Sequence, residues 1–359
     1  MGLLKHRIIK KYMTEQSTNL SFKPKQVSKK FLSALNPRMK DIVSNRYGLE
    51  TEKRMTLEAI GKNYDITRER VRQIENFALA TIKKSPEYRE NLFVFDELKE
   101  IVKKLGSVVK EETLMSHISK DKVIQNHINL YLVIGGHFTK IKETDDFYPH
   151  WSVDDSLSGH IKDSLETLHG EISDEELLVE EEVLEKFVSH LDQVVDEYKN
   201  NRDIIHKYLS ISKLIDKNDL GEWGKSTSPH IKARGVKDYA YLVVRKHGKP
   251  MHFKDVATEI AKVFKKKINT ATCHNELIKD KRFVLVGRGM YGLKEWGHAA
   301  GVVKDVIIQT LKEAGSPLTR QEIVEKVLAK RMVKSNTVII NLQDSKLFKK
   351  DKDGKYSLK

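Results

Sequence analysis

MTLEAIGKNYDITRERVRQIENFALATIKK, residues 55–84, is the stretch from which the rest of the chain is read. It divides into two helices and a tight turn. Thr56 is placed to cap the first helix, and Glu58 falls in its first turn, where the helix dipole favours a negative charge. Leu57 and Ile60 give that helix an apolar side. Asn63-Tyr64-Asp65-Ile66 interrupts it, and Thr67 can cap the helix that follows. There, Val71, Ile74, Ala78 and Ile82 fall together at 100° per residue and predict a buried stripe. Arg68, Glu69, Arg72, Gln73 and Asn76 take the other side. Such side chains suit base edges in a DNA major groove, where Arg reads guanine, Gln reads adenine and Glu accepts from cytosine. A plain solvated face would show the same periodicity. Ser85-Pro86 ends the helix, since proline cannot donate to the helical ladder.

The order of residues narrows the choice. TLEAIGKNYDITRERVRQIENFAL resembles region 4 of primary sigma factors, the part that reads the minus-35 promoter element. The family's helix begins Thr-Arg-Glu-Arg and continues with an Arg-Gln pair; here these are Thr67, Arg68, Glu69, Arg70, Arg72 and Gln73. The resemblance runs back through Leu35-Asn36-Pro37-Arg38 and Arg46-Tyr47-Gly48-Leu49, so residues 31–86 are expected to form a sigma-like helix-turn-helix. It implies promoter-type DNA as a partner and a second contact on the flap of the RNA polymerase beta subunit.

The chain has 359 residues, 32% of them charged, with a net charge of +14. That balance favours an acidic partner, most simply nucleic acid. Charge is uneven. Residues 1–90 hold 20 basic and 10 acidic side chains, residues 154–200 hold 3 and 15, and residues 231–359 hold 29 and 13. Two basic ends thus flank an acidic middle, which is not expected on DNA. Cys273 is the single cysteine, so no internal disulfide or thiolate cluster arises. No apolar run approaches the ~18–20 residues of a membrane helix. A cytoplasmic, nucleoid-associated protein without a membrane partner is expected.

Residues 1–30 read as a basic leader, either solvated or a flexible or helical arm touching phosphates, and residues 31–47 as the first helix of the sigma-like unit. Beyond Pro86 the chain looks repetitive. Gly248-Lys249-Pro250-Met251-His252 matches Gly315-Ser316-Pro317-Leu318-Thr319, and Tyr291-Gly292-Leu293 matches Tyr356-Ser357-Leu358. In the last two units, helices are expected at 236–246, 253–264 and 270–278, and at 302–314, 320–330 and 335–342. Strands follow at 282–286 and 291–293, and at 347–349 and 355–358. Three helices and a β-ribbon make a winged helix. Thr319-x-x-Glu322 reads as a capping box. Two weaker copies precede: Gly106 and Gly170 take the place of Gly248, Ser173-x-x-Glu176 repeats the box, and Trp151, Trp223 and Trp296 recur near each wing end. Expected boundaries are 90–152, 155–230 (acidic), 234–298 and 301–359, with exposed linkers near 86–90, 152–156, 224–234 and 297–301. The expected class is mainly α with small β-wings, a helix-turn-helix followed by tandem winged helices. The unit at 234–298 resembles the HARE-type winged helix, a family that includes the N-terminal domain of the RNA polymerase delta subunit. The carriers are Gly248-Lys-Pro-Met-His252-Phe253 with Val256, and Arg282-Phe283-x-x-Val286-Gly287-Arg288-Gly289-x-Tyr291-Gly292-Leu293.

Signals of chemistry are weak. Gly287-Arg-Gly289-Met-Tyr-Gly292 is literally G-x-G-x-x-G, but no helix pattern follows, and a hairpin tip accounts for it better. Arg288 at that tip can reach a minor groove or a phosphate, or stay in solvent. Glu97-x-Lys99 lies in a helical pattern without a partnered strand Asp. Cys273 and His274 diverge by ~100° on one helix and make a poor metal pair. No enzyme, cofactor, metal site or small-molecule substrate is expected. The expected function is sequence-specific DNA binding in transcription regulation, through Thr67, Arg68, Glu69, Arg70, Arg72, Gln73 and Asn76, with Arg288 as an additional contact. Two alternatives stay open: a polymerase-docking protein that does not read DNA, and a DNA-recognition accessory of a defence or modification system.

Overall fold

The computed structural model describes residues 20–192, 194–297, 303–330 and 333–359. The chain forms two compact units. One contains the described residues up to Ser173 together with Leu178–Asp216, and the other contains Asp174–Leu177 and Lys217–Lys359.

Four helices open the first unit: α1 (Pro24–Ser33), α2 (Pro37–Tyr47), α3 (Leu57–Tyr64) and α4 (Arg68–Lys84). The single helix expected over 31–47 is two. Asn36 accepts a hydrogen bond from Met39 N at 2.9 Å, and Pro37 stands at the first helical position, so a new helix starts there. The expected caps form: Thr56 accepts from Ala59 N at 3.1 Å, and Thr67 from Arg70 N at 3.2 Å. Between them Asp65 takes the left-handed conformation (φ 54°) and turns the chain.

Pro86 ends α4 but does not begin a linker. Ser85 Oγ accepts from Tyr88 N at 3.2 Å, and Pro86 opens α5 (Pro86–Glu90), where its missing N–H costs nothing. The helix α6 (Phe93–Lys104) follows. One core then runs from Phe22 through Phe31, Val43, Ile82, Leu98 and Tyr131 to Trp151. Within it Phe31 stacks on Phe95 with ring centroids 6.1 Å apart and meets Tyr131 edge-on at 5.6 Å. Two expectations are corrected by this core. Residues 86–90 do not separate two domains, because apolar groups on both sides of them share one interior. Residues 20–30 are not a solvated leader, since Phe22, Val27 and Ser28 are buried. Residues 1–19 of that leader lie outside the described residues.

Past α5 one element order recurs: helix, short strand or bridge, helices, hairpin. In its first occurrence α6 leads to β1 (Val108–Lys110), α7 (Glu111–Ile118), α8 (Lys122–Ile134), β2 (Thr139–Ile141) and β3 (His150–Ser152), with antiparallel sheet order β1-β3-β2. The second has α9 (Asp155–Glu171), α10 (Glu180–Ser189), α11 (Asp196–Lys199), α12 (Arg202–Leu209), β4 (Ile215–Lys217) and β5 (Trp223–Lys225). The chain passes from the first unit to the second at β4. Ser173-x-x-Glu176 does not cap a helix here. The helix starts at Glu180, with Glu182 Oε2 accepting from Val179 N at 3.0 Å. Residues 174–177 leave for the second unit, where Leu177 packs on the core. Gly170 lies inside α9 and is no counterpart of Gly248. Gly106 is a genuine special position: φ is 105°, and a Cβ there would come within 2.6 Å of Ile204 Cγ2.

The second unit holds two further occurrences. The third comprises α13 (Val236–His247), β6 (Met251–His252), α14 (Phe253–Phe264), α15 (Thr270–Lys279), β7 (Phe283–Gly287) and β8 (Met290–Leu293), with sheet order β6-β8-β7. The fourth comprises α16 (Val303–Ala314), α17 (Arg320–Lys330), α18 (Ser335–Leu342), β9 (Phe348–Lys350) and β10 (Tyr356–Leu358). The helices expected at 253–264, 320–330 and 335–342 have those bounds; the two-residue strand β6 is an addition to the expected elements. One core gathers Val244, Ile260, Leu277 and Tyr291, and another gathers Ile307, Ile323, Val338 and Phe348. Thr319 and Glu322 close the expected box, with Thr319 N donating to Glu322 Oε2 at 2.7 Å and Glu322 N to Thr319 Oγ1 at 3.3 Å. Among the described residues no helix is long and apolar enough to cross a membrane.

The shared core has two measurable consequences. Brief proteolysis of the full chain should leave residues 84–92 uncut, because Ser85 and Asn91 are buried and the backbone between them is helical. Early cleavage there, seen by mass spectrometry, would show two separable domains. The second consequence concerns His127. Its Nδ1 lies 2.7 Å from Ser28 Oγ, which in turn lies 2.8 Å from Tyr131 OH. Burial pushes its pKa from the usual 6.5 down to about 4. Below pH 6.5 the unfolded chain therefore takes up a proton that the native ring refuses. Stability is lost as pH falls between those limits, by about 2 kcal/mol at pH 5. Urea unfolding at pH 7 and pH 5 should show a difference that shrinks by about that amount in His127→Gln. An unchanged difference would clear His127.

Candidate nucleic-acid interface

The helix α4 has one covered side and one open side. Val71, Ala78 and Ile82 are fully buried, and Ile74 is half-buried. Apolar periodicity misses a fourth buried member. Glu75, 8% exposed, lies on the same side, one turn from Val71 and from Ala78. Its Oε2 sits 3.5 Å from Arg46 Nε, and Arg46 also donates to Met55 O at 3.1 Å. Burial, with the Glu75 carboxylate beside it, pushes the Tyr47 hydroxyl pKa up. A carboxylate in an otherwise apolar stripe is the signal that points to this arrangement, because such a group is buried only when it is paired. The pair ties α4 to the end of α2 and to the residue before the Thr56 cap.

On the open side, Thr67, Arg68, Glu69, Arg70, Arg72, Gln73 and Asn76 are all exposed, at the cap or in the first nine residues of α4. The sequence-predicted set is thus together, with the exception of Arg288. Its members are also paired with one another. Arg72 grips Glu69 with two parallel bonds, Nε to Oε2 at 2.8 Å and a terminal nitrogen to Oε1 at 2.7 Å. Arg70 donates to Gln73 Oε1 at 3.1 Å. The bond from Arg72 holds the Glu69 carboxyl below the usual carboxylate range and raises the Arg72 pKa. Thr67 has a structural duty as well, since its Oγ1 caps the helix. Phe77, 62% exposed, continues the open side, and no sequence pattern singles it out. Four positions after Gln73, it offers an apolar surface beside the polar set.

Arg288 belongs to the second compact unit. It is exposed, at the two-residue turn between β7 and β8. Gly289, next to it, has φ 71°, and a Cβ there would stand 2.6 Å from His252 Nε2, so only glycine fits. The G-x-G-x-x-G string is therefore a β-hairpin, not a strand-to-helix phosphate loop. Glu97, of the E-x-K string, is on α6, where Ser21 N donates to its Oε1 at 2.9 Å. Cys273 is buried, with its thiol pushed up to about 11 by burial, and His274 stacks on Phe253 at 4.2 Å. No group of three or more metal-ligating side chains occurs among the described residues.

Comparison with known proteins bears on the same stretches. The sigma factor SigA of Nostoc sp. is 46% identical over 54 residues, covering 15% of this chain and 14% of that protein. SigA1 of Synechococcus elongatus is 48% identical over 52 residues, covering 14% and 13%. RpoD of Neisseria gonorrhoeae is 40% identical over 58 residues, covering 16% and 9%. The chain therefore matches only 9% to 14% of the length of these relatives. Residues 234–296 match the HARE-HTH family, whose description includes the restriction endonuclease HTH domain, and residues 31–84 match the family described as Sigma-70, region 4.

Proposed function

We propose that the chain is a non-enzymatic, sequence-specific DNA-binding regulator of transcription that reads minus-35-like promoter DNA with α4. The observation that carries this reading is the open side of α4. Arg68, Glu69, Arg72, Gln73 and Asn76 stand there on a helix that is capped at Thr67 and backed by a packed core. Each offers a fork or acceptor that matches a base edge. The sigma-70 region 4 match over residues 31–84 supports the promoter-type target. The HARE-HTH match at 234–296 and the basic charge of residues 231–359 support a further contact through Arg288 to phosphate or to a minor groove.

The internal pairs of α4 do not oppose this reading. They are solvent-exposed, and exposed ion pairs contribute little to stability, so exchanging them for base contacts costs little. They also hold long side chains near the groove-facing direction before binding, which lowers the ordering cost.

Contact with RNA polymerase, on the beta flap or elsewhere, is a second reading. Exposed Phe77 favours it, together with the relatives' own name, RNA polymerase sigma factor. Phe77→Ser is expected to leave DNA preference in place and to weaken capture of purified polymerase by the full chain. Equal capture by both forms would count against Phe77 as the docking residue.

The main reading is tested by competition between a site selected from random DNA and a scrambled duplex. A bidentate base contact discriminates by about 1–3 kcal/mol, whereas a phosphate contact weakens every sequence alike. Arg72→Ala should flatten preference at one or two base pairs without altering thermal unfolding, because the residue is exposed. Lys83→Ala, near the end of α4, should weaken all duplexes equally and reduce the salt slope by about one. Full sequence preference in a normally folded Arg72→Ala chain would show that α4 is not the reader.

A further inference from the structure

In a winged helix the third helix is the one placed to enter DNA. In the third occurrence of the fold that helix, α15, buries only Cys273 and Leu277 along the described face and leaves Ala271, Thr272 and Asn275 open. The counterpart in the first occurrence, α8, is covered almost all round. From Gln125 to Leu132 every residue is buried, four of them polar: Gln125, Asn126, His127 and Asn129. What covers them includes the sigma-like segment itself, since α8 packs on α1, α2 and α4.

Asn126 is the centre of this contact. Its Nδ2 donates to Gly48 O at 3.0 Å and shares further bonds with Thr51 O and Glu52 O, each at 3.3 Å. Its Oδ1 accepts from Arg54 Nε at 2.7 Å. One side chain thus engages four residues of the loop that joins α2 to α3. There is no slack at the site. Gly48 has φ 65°, and a Cβ on it would stand 2.8 Å from Asn126 Nδ2 and 2.9 Å from Lys53 O. The loop leads into Met55, whose carbonyl is held by Arg46, and Arg46 is the ion-pair partner of Glu75 on α4. A continuous set of contacts therefore links Asn126 to the buried side of the reading helix.

We propose that the first winged helix is not a second DNA reader but a brace for the helix-turn-helix, and that Asn126 is the positioning residue through which it sets the loop before α3 and, with it, the presentation of α4. This inference rests on α4 being the reader. Its physical basis is satisfaction of buried polar groups. An amide with its donors and acceptor all spent on one loop conformation strongly disfavours any other conformation, because each unmet group costs its full desolvation. The sequence preference of α4 then depends on a residue that touches no base.

The test uses the full chain. Asn126→Asp keeps size and the acceptor for Arg54, but removes the donors and sets a carboxylate against three carbonyl oxygens. Gln125→Ala serves as the control, because Gln125 donates only to Ser119 O, within the winged helix, at 2.7 Å. Arg54→Ala is the milder second variant should Asn126→Asp fail to fold. Three readouts are taken: hydrogen exchange of amides 49–55, preference for the selected duplex over the scrambled one, and binding to scrambled duplex at low salt. In Asn126→Asp, or in Arg54→Ala to a smaller degree, exchange at 49–55 should rise and preference fall by about tenfold, with binding to scrambled DNA unchanged. Gln125→Ala should lower thermal stability and leave preference intact. Faster loop exchange with full preference would overturn the proposal, as would protection of α8 amides by DNA. A wild-type chain without any sequence preference would instead remove the reading of α4 on which the proposal stands.

Discussion

Everything in the first compact unit depends on how the polar side of α8 is satisfied. A helix carrying Gln125, Asn126, His127 and Asn129 cannot be buried against apolar groups alone, since each amide or ring would lose its water without return. Most of that polarity is met: Ser28 faces His127 Nδ1 and Tyr131, Ser119 O accepts from Gln125, and the carbonyls of 48–52 with Arg54 serve Asn126, while His127 Nε2 and Asn129 Oδ1 are buried without a partner among the described residues. Apolar contacts tolerate sliding by fractions of an ångström, but hydrogen bonds do not. The core from Phe22 to Trp151 supplies the bulk of the driving force, while the polar set selects a single register for α8 against the helix-turn-helix.

The first unit also takes in most of the second occurrence of the winged helix. The second occurrence of the winged helix is seated on the first through Tyr148 N donating to Ile211 O at 2.9 Å, and Tyr208 OH donating to Gly106 O at 2.5 Å. Its third helix, α12, buries Ile204, Ile205, Tyr208 and Leu209 on one side and leaves Arg202 and Asp203 exposed on the other. Within the first unit the polar side of α8 is covered, whereas that of α4 stays open. An acidic second winged helix is compatible with a brace and unfavourable for a phosphate contact.

Much of this is legible in the sequence. Caps at Thr56, Thr67 and Thr319, the end of α4 at Ser85-Pro86, and the helices of the last two winged folds follow from local rules about side-chain oxygens, proline and helical period. What is not legible is long-range. Pro86 reads as a stop, and it is one for α4. The same residue is also a good first residue of a helix, and only Tyr88 packing on Phe31 and Phe95 decides between linker and helix. Ser173-x-x-Glu176 satisfies a local pattern, yet Leu177 finds its apolar partners in another part of the chain. The helical period gives the exposed set on α4 and also places Glu75 in the buried stripe, but it does not give the partner that makes this burial tolerable, because Arg46 is distant in sequence.

Glu75 and Glu69 show why the same residue type on one helix needs two explanations. Glu75 is buried, and removal of Arg46 would leave its carboxylate without an opposite charge, which is strongly destabilising. Glu69 is bathed in solvent, and its grip on Arg72 is exchangeable. Binding through α4 would break the second pair and leave the first untouched. A helix can present a variable, readable surface only if the contacts that hold it are of a different kind from those it offers, and here the two kinds are separated by half a turn around α4. On the proposed reading, substitution on the open side, at positions 69, 72 and 73, would change specificity at little cost in stability, while substitutions at 46, 75 or 126 would alter the platform that holds α4.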